Sequence, residues 1–97
     1  MKKVIVNGKD ITEAVEMFEK IGYLYEREDG EPFINFINEK TKTPFNRTML
    51  KLIRISVVDF VKIHIFRSCK ETGVLYFVEL SVFEHKAISK VIELLEE

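Results

Sequence analysis

The period at which apolar residues recur changes along this chain, and that change restricts it to a fold with both helices and an antiparallel sheet. Ile11, Ala14, Val15, Phe18 and Ile21 follow helical spacing, with Glu13, Glu16 and Lys20 turned away. Further on, Val61, Ile63 and Ile65 alternate with Lys62 and His64, and Val78, Leu80 and Val82 alternate with Glu79 and Ser81. Strands half apolar and half polar need one covered face, and amphipathic helices can supply that cover.

Turn and cap chemistry divides the chain further. Residues 2 to 6 form a short β-rich run that stops at Asn7-Gly8, a strong turn dipeptide. Asp10 predicts a helix N-cap with Glu13 as its capping-box partner, and Gly22 a left-handed stop. Tyr23 to Glu28 and Phe33 to Asn38 flank Asp29-Gly30, which predicts a hairpin; the spacing after Pro32 would also suit a short helix. Thr43-Pro44 resembles the start of a second helix, in which Phe45, Met49, Leu52 and Ile53 share one face and Arg47, Lys51 and Arg54 another. A strand from Thr48 to Ser56 competes with it. Two strands follow, Phe60 to Arg67 and Val74 to Phe83, joined by the turn Cys69 to Gly73. Ile88, Val91, Ile92 and Leu95 then form the stripe of a closing helix, for which Ser81 and Glu84 offer a capping box.

The expected architecture is therefore α+β, a two-layer sandwich with an antiparallel sheet and helices packed on one face. With the second helix, the order reads β-α-β-β-α-β-β-α, a ferredoxin-like core plus a β-α extension. With the strand at 48 to 56 it becomes a sheet of five or six strands. A length of 97 residues with 46% apolar and 32% charged side chains suits one self-folding domain, residues 1 to 97. Burial is thin at this size, so a homodimer would be a natural supplement.

Lys51, Arg54, Asp59, Lys62 and Glu79 interrupt the longest apolar runs, so no membrane span is expected. The apolar run near the start is too short for a secretion signal, and the lone Cys69 offers no disulfide partner; both point to the cytoplasm. Abundant Lys, Glu and Ile with no Gln or Trp fits either a thermophile or an AT-rich genome, and a viral source is equally open.

Charge is the most informative functional signal. Residues 1 to 39 hold five basic and nine acidic groups, net −4; residues 40 to 70 hold eight basic groups against Asp59, net +7; residues 71 to 97 return to −4. The expectation is a small non-enzymatic binding module that engages an anionic partner, nucleic acid or an acidic protein surface, through Lys40, Lys42, Arg47, Lys51 and Arg54. The alternative is ordinary solvated charge paired across the sheet, for example Lys62 opposite Glu79. A second functional reading is a protein-binding inhibitor of the immunity or phage anti-defence type, acting through a sheet edge or an apolar patch.

Catalytic signals are thin. Asp59, Glu79 and Glu84-x-Lys86 resemble the metal-binding pattern of PD-(D/E)XK nucleases only loosely: Ser81 stands where that pattern has Lys, and Asp59 and Glu79 fall on opposite strand parities. A metal-dependent nuclease is the third reading. His64 and His85 lack partners at a ligand spacing, Cys69 has no identifiable base, and the four glycines stand singly, so neither metal nor cofactor is expected. The opening MKKVIVNGKDI resembles the first strand and turn of the barstar family of ribonuclease inhibitors over about a tenth of the chain; no further segment matches, and no family assignment follows.

Overall fold

A computed structural model describes residues 2–42, 47–58 and 62–96. Asn7 and Gly8, with φ of 52° and 78°, make the tight turn that their sequence demands. The turn folds β1 (Ile5–Val6) back on β2 (Lys9–Asp10), a partner strand that local pattern did not announce. Asp10 does not cap as the N-cap residue. Ile11 holds that position without a side-chain bond, and Asp10 Oδ1 accepts from the Thr12 N–H at 2.9 Å and from the Thr12 hydroxyl at 2.6 Å. Helix α1 (Thr12–Lys20) buries Ala14, Val15 and Phe18, the stripe expected of it, and Gly22 at φ +94° ends it.

Beyond α1 the chain runs as a meander. Strands β3 (Leu24–Glu26), β4 (Phe33–Lys42), β5 (Arg47–Ser56), β6 (Lys62–Cys69) and β7 (Leu75–Tyr76) form one antiparallel sheet in sequence order. Helix α2 (Val82–Glu96) closes the chain. Its start carries the capping box: Ser81 Oγ accepts from the Glu84 N–H at 3.1 Å, and Glu84 Oε1 accepts from the Ser81 N–H at 2.8 Å.

Two expectations are corrected. Residues 47 to 54 of the expected second helix lie in β5, while its start at residues 43 to 46 falls outside the described residues. Helical spacing at Met49, Leu52 and Ile53 coexists with strand alternation at Ile53, Ile55 and Val57, and burial selects the second. As a strand, Ile53 and Ile55 lie opposite Phe36 and Ile34 on one side and Ile65 and Ile63 on the other. The order is thus β-β-α-β-β-β-β-β-α, not the ferredoxin-like one, while the two-layer α+β arrangement stands. The strand expected over 74 to 83 is likewise cut to Leu75–Tyr76, and Glu79 lies beyond the β6–β7 ladder.

Both helices cover one face of the sheet. Phe18 of α1 stacks on Phe36 of β4 at 3.9 Å with 15° between ring planes, and Tyr23 meets Phe18 edge-on at 5.4 Å. Val6, Ile11, Ile34, Ile53, Ile55, Ala87 and Val91 complete a core sealed from solvent. Each large side chain buried here stabilises the fold by about 1.5–3 kcal/mol relative to exposure.

Candidate anion-binding face

Unbroken register assigns every strand residue to a face. The even-numbered residues of β4 lie on the helix side with the odd-numbered residues of β5 and β6. From the core outward, the helix-side rows are Phe36–Ile53–Ile65, then Asn38–Lys51–Arg67–Tyr76, then Lys40–Met49–Cys69, and last Lys42–Arg47. Apolar residues give way to basic ones where the helices end. Four of the five expected site positions, Lys40, Lys42, Arg47 and Lys51, therefore share one face, while Arg54 belongs to the other.

Arg54 is held by its own surroundings. Its Nε donates to Asn35 Oδ1 at 2.8 Å, and its guanidinium sits 4.1 Å from the centre of the Phe33 ring. Lys51 is also occupied: its Nζ lies 2.6 Å from Glu84 Oε2 and donates to the backbone oxygen of Glu79 at 2.5 Å. Lys70 pairs with Glu39 at 3.2 Å. By contrast Lys40, Arg47 and Arg67 enter no ion pair among the described residues, and Arg67 has only the Tyr76 ring, 5.8 Å from its guanidinium.

Lys40, Lys51 and Arg67 line a cleft of about 360 Å³ with Tyr23, Asn38 and Glu84. Its floor is a polar network. The Tyr23 hydroxyl donates to Glu84 Oε2, the same oxygen that Lys51 approaches. Burial pushes the Tyr23 hydroxyl far above its ordinary range, and the Glu84 carboxylate pushes it further, so it remains a donor. Burial would also raise Glu84, but bonds from Lys51, the Ser81 N–H and Tyr23 outweigh it and hold the carboxyl at about 2. The floor is thus ionised and internally satisfied, and it holds Lys51 in place. Lys40 and Arg67 remain as cations able to meet an anion.

Among the described residues the catalytic candidates lie apart. Glu84 serves the network just described, His64 is exposed beside Arg54 on the uncovered face, and Asp59 lies outside the described residues. Cys69 is buried, with its thiol donating to Glu71 Oε2 at 3.5 Å. Among the described residues no group of three or more His, Cys, Asp or Glu could hold a metal ion. No described helix is long and apolar enough to cross a membrane.

Arg67, Tyr23 and Asn38 were absent from the expected site. Arg67 belongs to the +7 segment, but only strand register places it beside Lys51, and Tyr23 arrives from the far end of α1. No protein-family model matches the chain, and no curated protein or solved structure is significantly similar to it.

Proposed function

We propose that this chain is a non-enzymatic binding module that engages an anionic partner through the helix-side end of its sheet. The observation that carries the reading is that Lys40, Arg47 and Arg67 share one face without an acidic ion-pair partner among the described residues. Lys42 is in register with Arg47, whereas Arg54 belongs to the other face. A sheet end bearing several cations suits the regularly spaced phosphates of nucleic acid, where each neutralised phosphate releases counterions. An acidic protein surface offers the same charge with less regular spacing, and the cytoplasm is where we place the encounter.

Fluorescence anisotropy with labelled single- and double-stranded oligonucleotides at about 50 mM salt, beside an acidic peptide of equal charge, tests the reading. Salt-sensitive binding lost in a Lys40→Glu, Arg67→Glu variant is expected. No binding to any of the three probes sinks the proposal, while binding to the peptide alone makes the partner a protein.

A second reading, a protein-binding inhibitor, is favoured by the opposite face. There a cross-strand row runs from Leu24, 71% exposed, through Ile37 and the buried Leu52 to Phe66, 38% exposed, and no described helix covers it. A pull-down that captures a single protein after nuclease treatment supports this reading over the first.

A further inference from the structure

Two hollows share Lys51 and Arg67 as walls. The first is the cleft already described, where Lys40, Lys51 and Arg67 stand against Glu84. The second, also about 360 Å³, is lined by Lys51, Arg67, Phe77 and Glu79. Register sets Tyr76 opposite Arg67, and the chain beyond Tyr76 runs to Lys51, whose Nζ donates to the Glu79 backbone oxygen at 2.5 Å. That path carries Phe77 past Arg67 and into the wall of the second hollow.

Phe77 is 95% exposed, more than any other large apolar side chain among the described residues. It lies between β7 and α2 and takes no part in the core. Burial would stabilise such a ring, so in the single chain it is surface open to a ligand. A lone exposed phenyl group is ordinary. This one shares its hollow with the Arg67 guanidinium, which enters no ion pair among the described residues. An aromatic face beside a cation is how proteins hold unpaired nucleotides, the base on the ring and the phosphate on the charge.

We propose that this end of the sheet takes single-stranded nucleic acid, with one base lying on Phe77 in the second hollow and a flanking phosphate meeting Arg67 and Lys40 in the first. The inference rests on the anion-binding reading and names its partner. Charge fixes which component goes where. Glu79 repels a phosphate from the second hollow, whereas an uncharged base can enter it. In the first, Glu84 is already satisfied by Lys51, Ser81 and Tyr23, which leaves Lys40 and Arg67 for the ligand. Every nucleotide brings one flat ring and one negative charge, the pair that the two hollows accept, while the side chains of an acidic peptide bring charge without the ring. A duplex has the phosphates but keeps its bases stacked inside, away from Phe77. Stacking does not distinguish the sugar, so the recognised chemistry is an unpaired base with its phosphodiester, from DNA or RNA.

Fluorescence anisotropy with strands of about 12 nucleotides, in DNA and RNA forms, compares a single strand, its duplex and an abasic strand of equal charge. The base-bearing single strand, as DNA, RNA or both, should bind more tightly than the abasic one. Phe77→Ala should weaken that binding by about tenfold and leave the duplex and abasic affinities unchanged. Because the ring is almost wholly exposed, the variant should keep the wild-type circular dichroism spectrum. The chain contains no tryptophan, so Phe77→Trp supplies a lone indole at the platform. Its emission should fall on saturation with the base-bearing strand and hold steady with the abasic one, and binding should survive. If Phe77→Ala binds the base-bearing strand as the wild type does, or if that strand has no advantage over the abasic one, this inference fails and the anion-binding reading stands. Binding to an acidic peptide but to no nucleic acid has the same meaning. Failure to bind any of these probes overturns both.

Discussion

Lys51 of β5 and Glu84 in the first turn of α2 meet at 2.6 Å, with side chains 19% and 11% exposed. The pair joins the two layers at the point where the core gives way to the basic face, and Tyr23 shares the carboxylate. One carboxylate thus caps a helix, anchors a strand lysine and satisfies a buried phenol.

Lys51→Ala should destabilise the fold by roughly 2–3 kcal/mol, because it leaves a mostly buried carboxylate short of its counter-charge. For a chain this size the melting temperature should fall by about 10–20 °C, measurable by circular dichroism. Replacing the pair together, Lys51→Met with Glu84→Gln, should cost less than the lysine change alone, since neither partner is then left as an uncompensated charge.

Acid should weaken the same contact. The Glu84 carboxyl sits at about 2 in the folded chain against an ordinary value of 4.5. Its folded value is depressed, so its contribution is present above about pH 4.5 and fades as pH falls towards 2. Asp10 and Glu71 are also lowered, by Thr12 and Thr48 respectively, and act in the same direction. Urea midpoints at pH 6 and pH 3 should therefore differ more in the wild type than in Glu84→Gln; equal differences would remove Glu84 from the account.

Charge reversal should discriminate between the faces. Lys40→Glu or Arg47→Glu is expected to weaken oligonucleotide binding several-fold at about 50 mM salt and to flatten the salt dependence by about one unit per lost phosphate contact. Arg54→Ala should leave binding unchanged. It should instead cost about 1 kcal/mol of stability, because it removes the Asn35 bond and the Phe33 contact.

At Gly22 a methyl group should be felt twice. With φ at +94° the backbone is in a region that side chains avoid, and a Cβ there would lie 3.3 Å from Asn38 Nδ2. Gly22→Ala is expected to cost about 1–2 kcal/mol in chemical denaturation, and to disturb Asn38 in the cleft wall.

What could be read from the residues alone was whatever is decided within a few positions. Asn7-Gly8, Asp29-Gly30, the α1 stripe and the Ser81–Glu84 box depend on nearest neighbours, and each stands where it was expected. Residues 47 to 56 satisfied two periods at once, and only Phe36 and Ile34 on a neighbouring strand decide between them. The site inherited that ambiguity. Helical spacing set Arg47, Lys51 and Arg54 on one stripe, whereas strand parity keeps Arg47 with Lys51, sends Arg54 to the other face, and admits Lys40 and Arg67. Charge arithmetic marked a segment, and register alone divides its members between the two faces.

The meander also has a kinetic consequence. The β4–β5 ladder joins strands adjacent in sequence and can form without closing a long loop. The Tyr23–Glu84 bond spans 61 positions, and Lys51–Glu79 spans 28. Closure entropy grows with such separations, so we expect the hairpin to form early and α2 to dock late. Pulse-labelled hydrogen exchange should then protect β4 and β5 before α2, which makes the carboxylate bridge the last lock to engage and the first to open.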